Sequence, residues 1–179
     1  MRLKNSTAIP DAVVRDIIRA VKPHAIGGFD FTLRNARGKS WGGHAYPAGS
    51  HYHDRRCPFV SLLLGGPEHF PQAPSGPPVF GGGVRTFFKY DGGYPVKAAD
   101  GHAAIFSEDV RPYSKGYLPR PWLADQVEAL VYLAAHELRH LWQARVPRGH
   151  RVWGSRGQYS ERDADAYAIR QLRAWRRAH

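Results

Sequence analysis

The stretch His136-Glu137-Leu138-Arg139-His140 decides how this chain is organised. Because an α-helix turns about 100° per residue, side chains four positions apart project from the same face of it. His136 and His140 can therefore bring two imidazole nitrogens to one metal ion, at the bond length of about 2.0–2.1 Å that zinc prefers. Glu137 follows the first histidine directly, so its carboxylate lies beside the metal, where a general base for an activated water is needed. The stretch predicts a helix that carries two ligands and the base of a zinc site.

The residues around this motif have the pattern of a long amphipathic helix. Pro121 suits a first helical turn, and from there to Arg145 apolar residues recur three and four positions apart. We therefore expect a helix from Pro121 to Arg145 whose apolar side packs on a core. The apolar stripe consists of Val127, Leu130, Val131, Ala134, Leu138, Leu141 and Trp142.

A second helix is expected to begin after Ser160, because serine is a good N-cap and Asp163 occupies the third helical position, as in a capping box. Glu161 and Asp165 lie one turn apart on one face of this helix. A catalytic zinc usually has three protein ligands, so Glu161 is the best candidate for the ligand that the first helix lacks. Asp165 can then accept the free ring N–H of a ligand histidine, His136, and fix its tautomer.

The two segments together resemble a known family. HExxH at positions 136–140, followed by a helix reading ExxxD at positions 161–165, is similar to the pattern of the gluzincins, the thermolysin-like branch of the zincin metallopeptidases, in a minimal single-domain form. The resemblance covers residues 122–177. It implies hydrolysis of peptide bonds at one zinc ion (Zn²⁺), with His136, His140 and Glu161 as the ligands. It also implies that Glu137 is the general base and that Asp165 supports a ligand histidine.

Two related patterns compete for the third ligand. The metzincin pattern would need a glycine three residues and a histidine six residues after His140, but those positions hold glutamine and valine. A SprT-like protease would use a histidine downstream of the helix, and His150 could serve at an unusually short spacing. We favour Glu161 over His150, because only the choice of Glu161 also explains Asp165.

The spacing does not identify the group that stabilises an oxyanion. Tyr159, His150 and Tyr167 are candidates, in that order, because each is near the start of the second helix or the loop before it. A closed structural zinc is the alternative to a catalytic one, with four ligands drawn from the two histidines of the motif, His150 and Glu161. Structural sites favour several cysteines, and this chain has one cysteine, far from the motif. A structural site would also have no use for Glu137, so a catalytic zinc is favoured.

Length and composition limit the possible organisation. The 179 residues fit a single domain, residues 1–179, and 42% hydrophobic residues can build a core without disulfides. No apolar run approaches the roughly 18 residues that span a bilayer, and the polar N-terminal sequence lacks a secretory signal. The expected location is therefore cytoplasmic, with no membrane span.

The N-terminal part, residues 1–120, is predicted to form a helix and a β-sheet, and residues 121–179 the metal-binding helices. Asp11–Val21 has one apolar face and reads as an amphipathic helix. Residues 65–83 are rich in proline and glycine and predict a long loop. The expected fold is α+β and zincin-like: a small twisted mixed sheet packs on the HExxH helix, and a C-terminal helix carries the third ligand. The predicted strands are Ile26–Leu33, Ser40–Tyr46, Pro58–Leu64, Arg85–Tyr90 and Ala103–Phe106.

Charge suggests a second class of function. The formal net charge of +11 and the pI near 10.2 imply attraction to acidic partners such as nucleic acid or another polyanion. Arginines and tryptophans alternate in the loop between the metal helices and along the last helix, although a solvated face explains them as well. The alternatives to a peptidase acting on protein or peptide substrates are a nucleic-acid-binding protein with a structural zinc, or a SprT-like protease acting on DNA-bound proteins. The residues concerned are Arg145, Arg148, Arg151, Arg156, Arg170, Arg173, Arg176, Arg177, Trp142, Trp153 and Trp175.

Overall fold

A computed structural model of the chain describes residues 1–24, 26–36, 42–49, 57–65, 123–147, 152 and 159–179. Within these residues the protein is a small mixed α/β protein with four strands and three helices. None of these helices is long and apolar enough to cross a lipid bilayer. In chain order the elements are β1 (Arg2–Ser6), α1 (Asp11–Val21), β2 (Asp30–Asn35), β3 (Gly42–Tyr46), β4 (Phe59–Leu64), α2 (Gln126–Gln143) and α3 (Glu161–Ala178).

The four strands form one mixed sheet, which confirms that part of the predicted fold. Their order is β1-β2-β4-β3. β1, β2 and β4 are parallel to one another, whereas β3 runs antiparallel to β4. A parallel pair needs a crossover connection, and α1 provides it between β1 and β2. β3 lies at one end of this order and contacts α2, so the edge of the described sheet lies beside the HExxH helix.

The sequence does not predict β1. Its residues, Arg-Leu-Lys-Asn-Ser, include one apolar side chain and lack the alternation that marks a half-buried strand. The strand forms because it pairs in parallel with β2, where Leu3 lies opposite Phe31. The side-chain amide of Asn5 then donates to the carbonyl of Ile9 over 2.7 Å, which turns the chain towards α1. Residues 2–6 therefore form a strand because they pair with β2, and not because of local strand propensity.

One face of the sheet forms the core with the helices. Phe31, Leu33, Val60 and Leu62 alternate with less buried residues along β2 and β4, and each is at most 1% exposed. α1 has the predicted bounds and buries the predicted apolar face. α2 contacts α1, α3, β3 and β4, so it lies at the centre of the described structure. A helix that is covered on several sides holds its side chains in fixed directions, which a metal site requires.

The predicted start of α2 is wrong. Residues 123–125 are not helical, so the helix begins at Gln126, and it ends at Gln143. Asp125 is the N-cap, and its carboxylate accepts a hydrogen bond from the backbone N–H of Glu128 over 2.8 Å. An aspartate with a partner three residues on is a stronger start signal than a proline, because it satisfies an orphan N–H.

The predicted start of β2 is also wrong, since the strand begins at Asp30 and not at Ile26. Gly27 has a φ of 68°, which an extended strand does not allow. A Cβ atom at Gly27 would lie 2.9 Å from Nη2 of Arg145, but that guanidinium is the end of a flexible, exposed side chain that can move aside. The backbone angle is therefore the reason for a glycine at this position.

Some predictions fall outside the described residues. These are the strands at 85–90 and 103–106, the Pro/Gly-rich loop beyond Gly65, and His150 together with the arginines at 148, 151 and 156. Gly65 itself is buried, and its carbonyl accepts a hydrogen bond from the side chain of Gln126. The end of β4 is thereby joined to the start of α2.

Candidate metal centre

His136 and His140 lie one turn apart on α2 and converge. Their Nε2 atoms are 3.1 Å apart, and their rings meet edge to face with centroids 4.8 Å apart. Each side chain is 14% exposed, so both rings are held among other groups but reach solvent. The spacing of the motif predicts this convergence, and the covered position of α2 enforces it.

Glu161 brings a carboxylate to the two histidines from the first position of α3. Its Oε2 lies 3.1 Å from Nε2 of His136, and its Oε1 lies 3.3 Å from Nε2 of His140. Around a tetrahedral ion with bonds of about 2.0–2.1 Å, neighbouring donor atoms are about 3.3–3.4 Å apart. These three residues could therefore hold a metal ion. The Glu161 side chain is 57% exposed, so the donor set is open to solvent on that side.

Asp165 lies behind His136. Its Oδ1 is 3.0 Å from Nδ1 of His136, and the hydroxyl of Tyr132 donates to the same oxygen over 2.9 Å. Because a carboxylate only accepts, Nδ1 carries a proton, and in the neutral ring Nε2 then has the lone pair that a metal would bind. The structure thus brings Asp165 to the histidine for which the sequence proposed it. Tyr132 is not singled out by the sequence, although its position one turn before His136 on the same helix is the signal that could have identified it.

Gln143 holds the second histidine, and the sequence does not identify it. Its Oε1 is 2.8 Å from Nδ1 of His140, three residues earlier on α2. The side chain is fully buried. The same Oε1 accepts from the backbone N–H of Ser160 over 3.2 Å, while Nε2 donates to the carbonyl of Ser160 over 2.9 Å and to Asp163 over 3.0 Å. One amide therefore connects a candidate ligand on α2 with the first residues of α3.

The predicted capping box at the start of α3 forms only in part. The hydroxyl of Ser160 accepts from the backbone N–H of Asp163 over 3.2 Å, as expected of an N-cap. The reciprocal bond is different, because the backbone N–H of Ser160 donates to Gln143 and not to Asp163. Asp163 instead pairs with Arg139, whose Nε and Nη2 reach the carboxylate over 2.6 and 3.0 Å. Asp163 therefore joins two helices and does not close its own cap.

Glu137 points towards the edge strand. It is 6% exposed, and both it and the three possible ligands border one cleft. A Cβ atom at Gly43 of β3 would lie 2.6 Å from Cγ of Glu137 and 2.5 Å from Cδ2 of Leu62. The glycine thus lets the backbone of β3 approach the glutamate more closely than any other residue would allow. The sequence does not predict the role of Gly43, because nothing local distinguishes it from Gly42.

The electrostatics of the cluster suit a cation. Burial alone would lower the pKa of His136, but hydrogen bonds with Asp165 and Glu161 raise that pKa to about 10. Hydrogen bonds with the two histidines hold the pKa of Glu161 well below its usual value. Burial raises the pKa of Glu137, and the two histidines lower it by less than burial raises it. Carboxylates on several sides of two imidazoles therefore favour positive charge between them.

The cleft at the cluster has a volume of about 410 Å³. Tyr159 borders it and is 53% exposed, so this candidate for the oxyanion role lies at the cluster. Tyr167 does not, because its hydroxyl donates to the carbonyl of Val21 over 2.9 Å and helps to join α3 to α1. The lining residues are Gly43, His44, Ala45, His136, Glu137, His140, Tyr159 and Glu161.

The basic residues of the last helix have mixed surroundings. Arg170 and Arg177 are exposed. Arg176 is not free, because its Nε donates to Glu128 of α2 over 2.7 Å. Trp175 stacks on His179 with ring centroids 3.8 Å apart, and Trp142 lies 3.5 Å beneath the guanidinium of Arg139. Trp142 of α2 and Trp175 of α3 thus have partners within the protein, so packing explains part of the pattern of basic and aromatic residues.

The structure brings together all five residues of the two motifs, namely His136, Glu137, His140, Glu161 and Asp165. Their chemical roles stay predictions, as does that of Tyr159 at the cleft. Comparison of the chain with models of protein families, with curated proteins and with solved structures found no match. Function must therefore be inferred from the geometry and chemistry of the site.

Proposed function

We propose that this protein is a zinc-dependent metallopeptidase that hydrolyses peptide bonds, with Glu137 as the general base. The observation that carries the proposal is the close approach of three donor groups next to a buried glutamate on one cleft. The two histidine Nε2 atoms are 3.1 Å apart, and each lies 3.1 or 3.3 Å from one carboxylate oxygen of Glu161. Two imidazole nitrogens and one carboxylate are a typical donor set for catalytic zinc. The open side at Glu161 supports a catalytic site over a closed structural one.

The residues of the chain divide the chemistry between them. When bound, zinc would lower the pKa of a water molecule and polarise the carbonyl of the substrate. Glu137 would take the proton from the attacking water and pass it to the leaving amine. Burial raises the pKa of Glu137, which makes its carboxylate a stronger base for the first transfer. Asp165 would keep the lone pair of His136 directed at the metal throughout.

The position of β3 supports a peptide as the substrate. This strand borders the cleft through Gly43, His44 and Ala45, and it is the edge of the described sheet. An extended peptide can add to such an edge as a further strand, with backbone hydrogen bonds that depend little on side chains. A peptide bound in this way would cross the cleft beside Glu137. A mixed sheet with this edge over the HExxH helix is the reason why we infer a zincin-like fold.

The test is zinc binding and peptide cleavage by the wild-type chain and by Glu137→Gln. We expect one zinc per chain in both proteins, because Glu137 is not a ligand. We expect cleavage of a mixed peptide library, followed by mass spectrometry, to fall by about 10²- to 10⁴-fold in the variant, which is the usual contribution of a general base. Asp16→Asn makes the same kind of charge change on the exposed surface of α1 and should cleave as the wild type does.

Two results would overturn the proposal. One is wild-type protein that binds no zinc, or that binds it without His136, His140 and Glu161. The other is equal cleavage by the wild type and Glu137→Gln, since a contaminating peptidase would then explain the activity.

The charge of +11 supports a second candidate, a nucleic-acid-binding protein with a structural zinc or a SprT-like protease that acts on DNA-bound proteins. Exposed Arg170 and Arg177 are available for phosphate contacts. If the protein only binds nucleic acid, its affinity for DNA should fall steeply as the salt concentration rises. That affinity should be the same in the wild type and in Glu137→Gln. A protease guided to DNA-bound proteins would bind DNA in the same way but lose cleavage in that variant.

A further inference from the structure

We propose that Gln143 is a positioning residue, which fixes the tautomer of His140 and couples that ring to the helix that carries Glu161. The inference rests on the proposed zinc site but assigns a role that neither motif contains. Its basis is a buried side-chain amide whose donor and acceptor atoms all have partners of the required kind.

The hydrogen bonds determine which end of the amide is oxygen. The backbone N–H of Ser160 can only donate, so the atom 3.2 Å from it must be Oε1. The carbonyl of Ser160 can only accept, and so can the carboxylate of Asp163, which also accepts two hydrogen bonds from Arg139. The atom that lies 2.9 and 3.0 Å from those two acceptors must therefore be the NH₂ group. No other orientation of Gln143 satisfies these contacts.

The orientation of the amide decides the tautomer of His140. Because Oε1 of Gln143 is an acceptor, the ring nitrogen 2.8 Å from it, Nδ1, must carry the proton. In the neutral ring, Nε2 then has the lone pair. That nitrogen faces His136 and Glu161, so the lone pair points to the place where a metal would bind. The alternative tautomer would direct an N–H there and block ligation.

The same amide sets the distance between the two metal helices at the site. It holds the carbonyl and the N–H of Ser160, the residue directly before Glu161. A shift of α3 along α2 would therefore break these bonds at the same time as it moved the carboxylate of Glu161. Because Gln143 is fully buried, water has no access to replace the lost partners. His140 and Glu161 are thus positioned by one side chain.

The two histidines differ in the group that holds the Nδ1 atom of each ring. His136 has a carboxylate behind it, whereas His140 has a neutral amide. Glutamate could not replace Gln143, since it would have no donor for the carbonyl of Ser160 or for Asp163. Methionine has nearly the same length as glutamine but lacks both the acceptor and the donors. The role therefore requires glutamine itself and not merely a side chain that fills the space.

The experiment measures zinc affinity and the state of the His140 ring. Zinc affinity is determined by competition with a chromophoric chelator for the wild type, Gln143→Met and Gln126→Met. We expect Gln143→Met to bind zinc about 10- to 100-fold more weakly, which is the usual effect of removing the partner of a ligand histidine. Gln126→Met is the matched control, because it makes the same exchange at the other end of α2, where the glutamine amide bonds the carbonyl of Gly65. It should destabilise the protein, as measured by thermal unfolding without zinc, and bind zinc as the wild type does.

A second measurement needs no variant. In zinc-loaded wild-type protein with ¹⁵N-labelled histidine, long-range ¹H–¹⁵N spectra identify the protonated nitrogen of each ring. We expect His140 to carry its proton on Nδ1 and to bind zinc through Nε2. Coordination through Nδ1 overturns the inference even if Gln143→Met does not fold.

The outcomes separate this inference from the proposed function. Equal zinc affinity of the wild type and Gln143→Met overturns the role of Gln143 and leaves the peptidase proposal intact. Zinc bound through Nε2 of His140 without any peptide cleavage supports the role of Gln143 and counts against the peptidase. Wild-type protein that binds no zinc overturns both.

Discussion

At the scale of single residues, Gly43 and Glu137 show how closely the sheet approaches the site. A Cβ atom at Gly43 would lie less than 3.0 Å from both Leu62 and Glu137. Both neighbours are buried, so an added methyl group must displace Glu137 together with Leu62, or move β3 away from them. The position of the proposed base therefore depends on the absence of a side chain on the neighbouring strand.

We expect Gly43→Ala to lower the free energy of unfolding by about 1–3 kcal/mol, which is the usual result of overpacking a core. It should also slow peptide cleavage, because Glu137 would move away from the attacking water. Denaturant unfolding and a kinetic assay measure the two effects. Gly42→Ala is the matched control, since a Cβ atom there would have no neighbour within 4 Å. Equal stability and activity of the two variants would contradict the close approach of β3.

At the scale of secondary-structure elements, the junction of α2 and α3 decides whether the donor atoms meet. Each helix alone carries an incomplete set, two histidines on one and a carboxylate on the other. The bidentate pair of Arg139 with Asp163 fixes the helices to each other, and the guanidinium also lies on the ring of Trp142. Arg139, at one of the two variable positions of HExxH, thus holds α3 against α2.

We expect Arg139→Met to lower the free energy of unfolding by about 3–5 kcal/mol, because it leaves a buried carboxylate at Asp163 without its charged partner. Arg19→Met removes an ion pair of the same 2.6 Å length on the surface of α1 and should cost less than about 1 kcal/mol. Chemical denaturation of the zinc-free proteins measures both. Similar losses in the two variants would show that burial of the pair does not matter.

At the scale of the whole molecule, the site lies where separate parts of the chain meet. β3 and β4 supply one wall of the cleft and the packing behind it, and α2 and α3 supply the candidate ligands. A metal ion bound to His136, His140 and Glu161 would connect two helices across the segment between them. Such a connection exists only in the folded state, so metal binding should stabilise the fold.

We expect removal of zinc by a chelator to lower the thermal unfolding midpoint. At a free zinc concentration 100 times the dissociation constant, the ion would contribute about 2.7 kcal/mol. His140→Ala should show no difference between its zinc-loaded and chelator-treated forms, because the donor set is incomplete. Differential scanning calorimetry at fixed protein concentration measures the midpoints. A wild-type midpoint that is unaffected by zinc would contradict a metal site in the folded protein.

Local patterns in the sequence predicted much of this protein. The bounds of α1, the N-cap at Ser160 and the convergence of His136 with His140 are confirmed, because each depends on contacts within a few residues. The apolar run from Pro58 to Leu64 also predicted a strand, which forms from Phe59 to Leu64. Helical periodicity and capping are short-range effects, so they can be read from the chain itself. The zinc ion and its chemistry stay predictions.

Other features depend on residues far apart in the chain. The pairing of β1, the sheet order, the role of Gly43 and the contacts of Gln143 with Ser160 leave no local signal. They arise because burial forces distant polar groups to find partners and distant backbones to pack closely. The sequence by itself determined which residues could bind a metal and that Asp165 could orient His136. Only the tertiary structure decided that Tyr132 and Gln143 take part, because their partners come from a helix far along the chain.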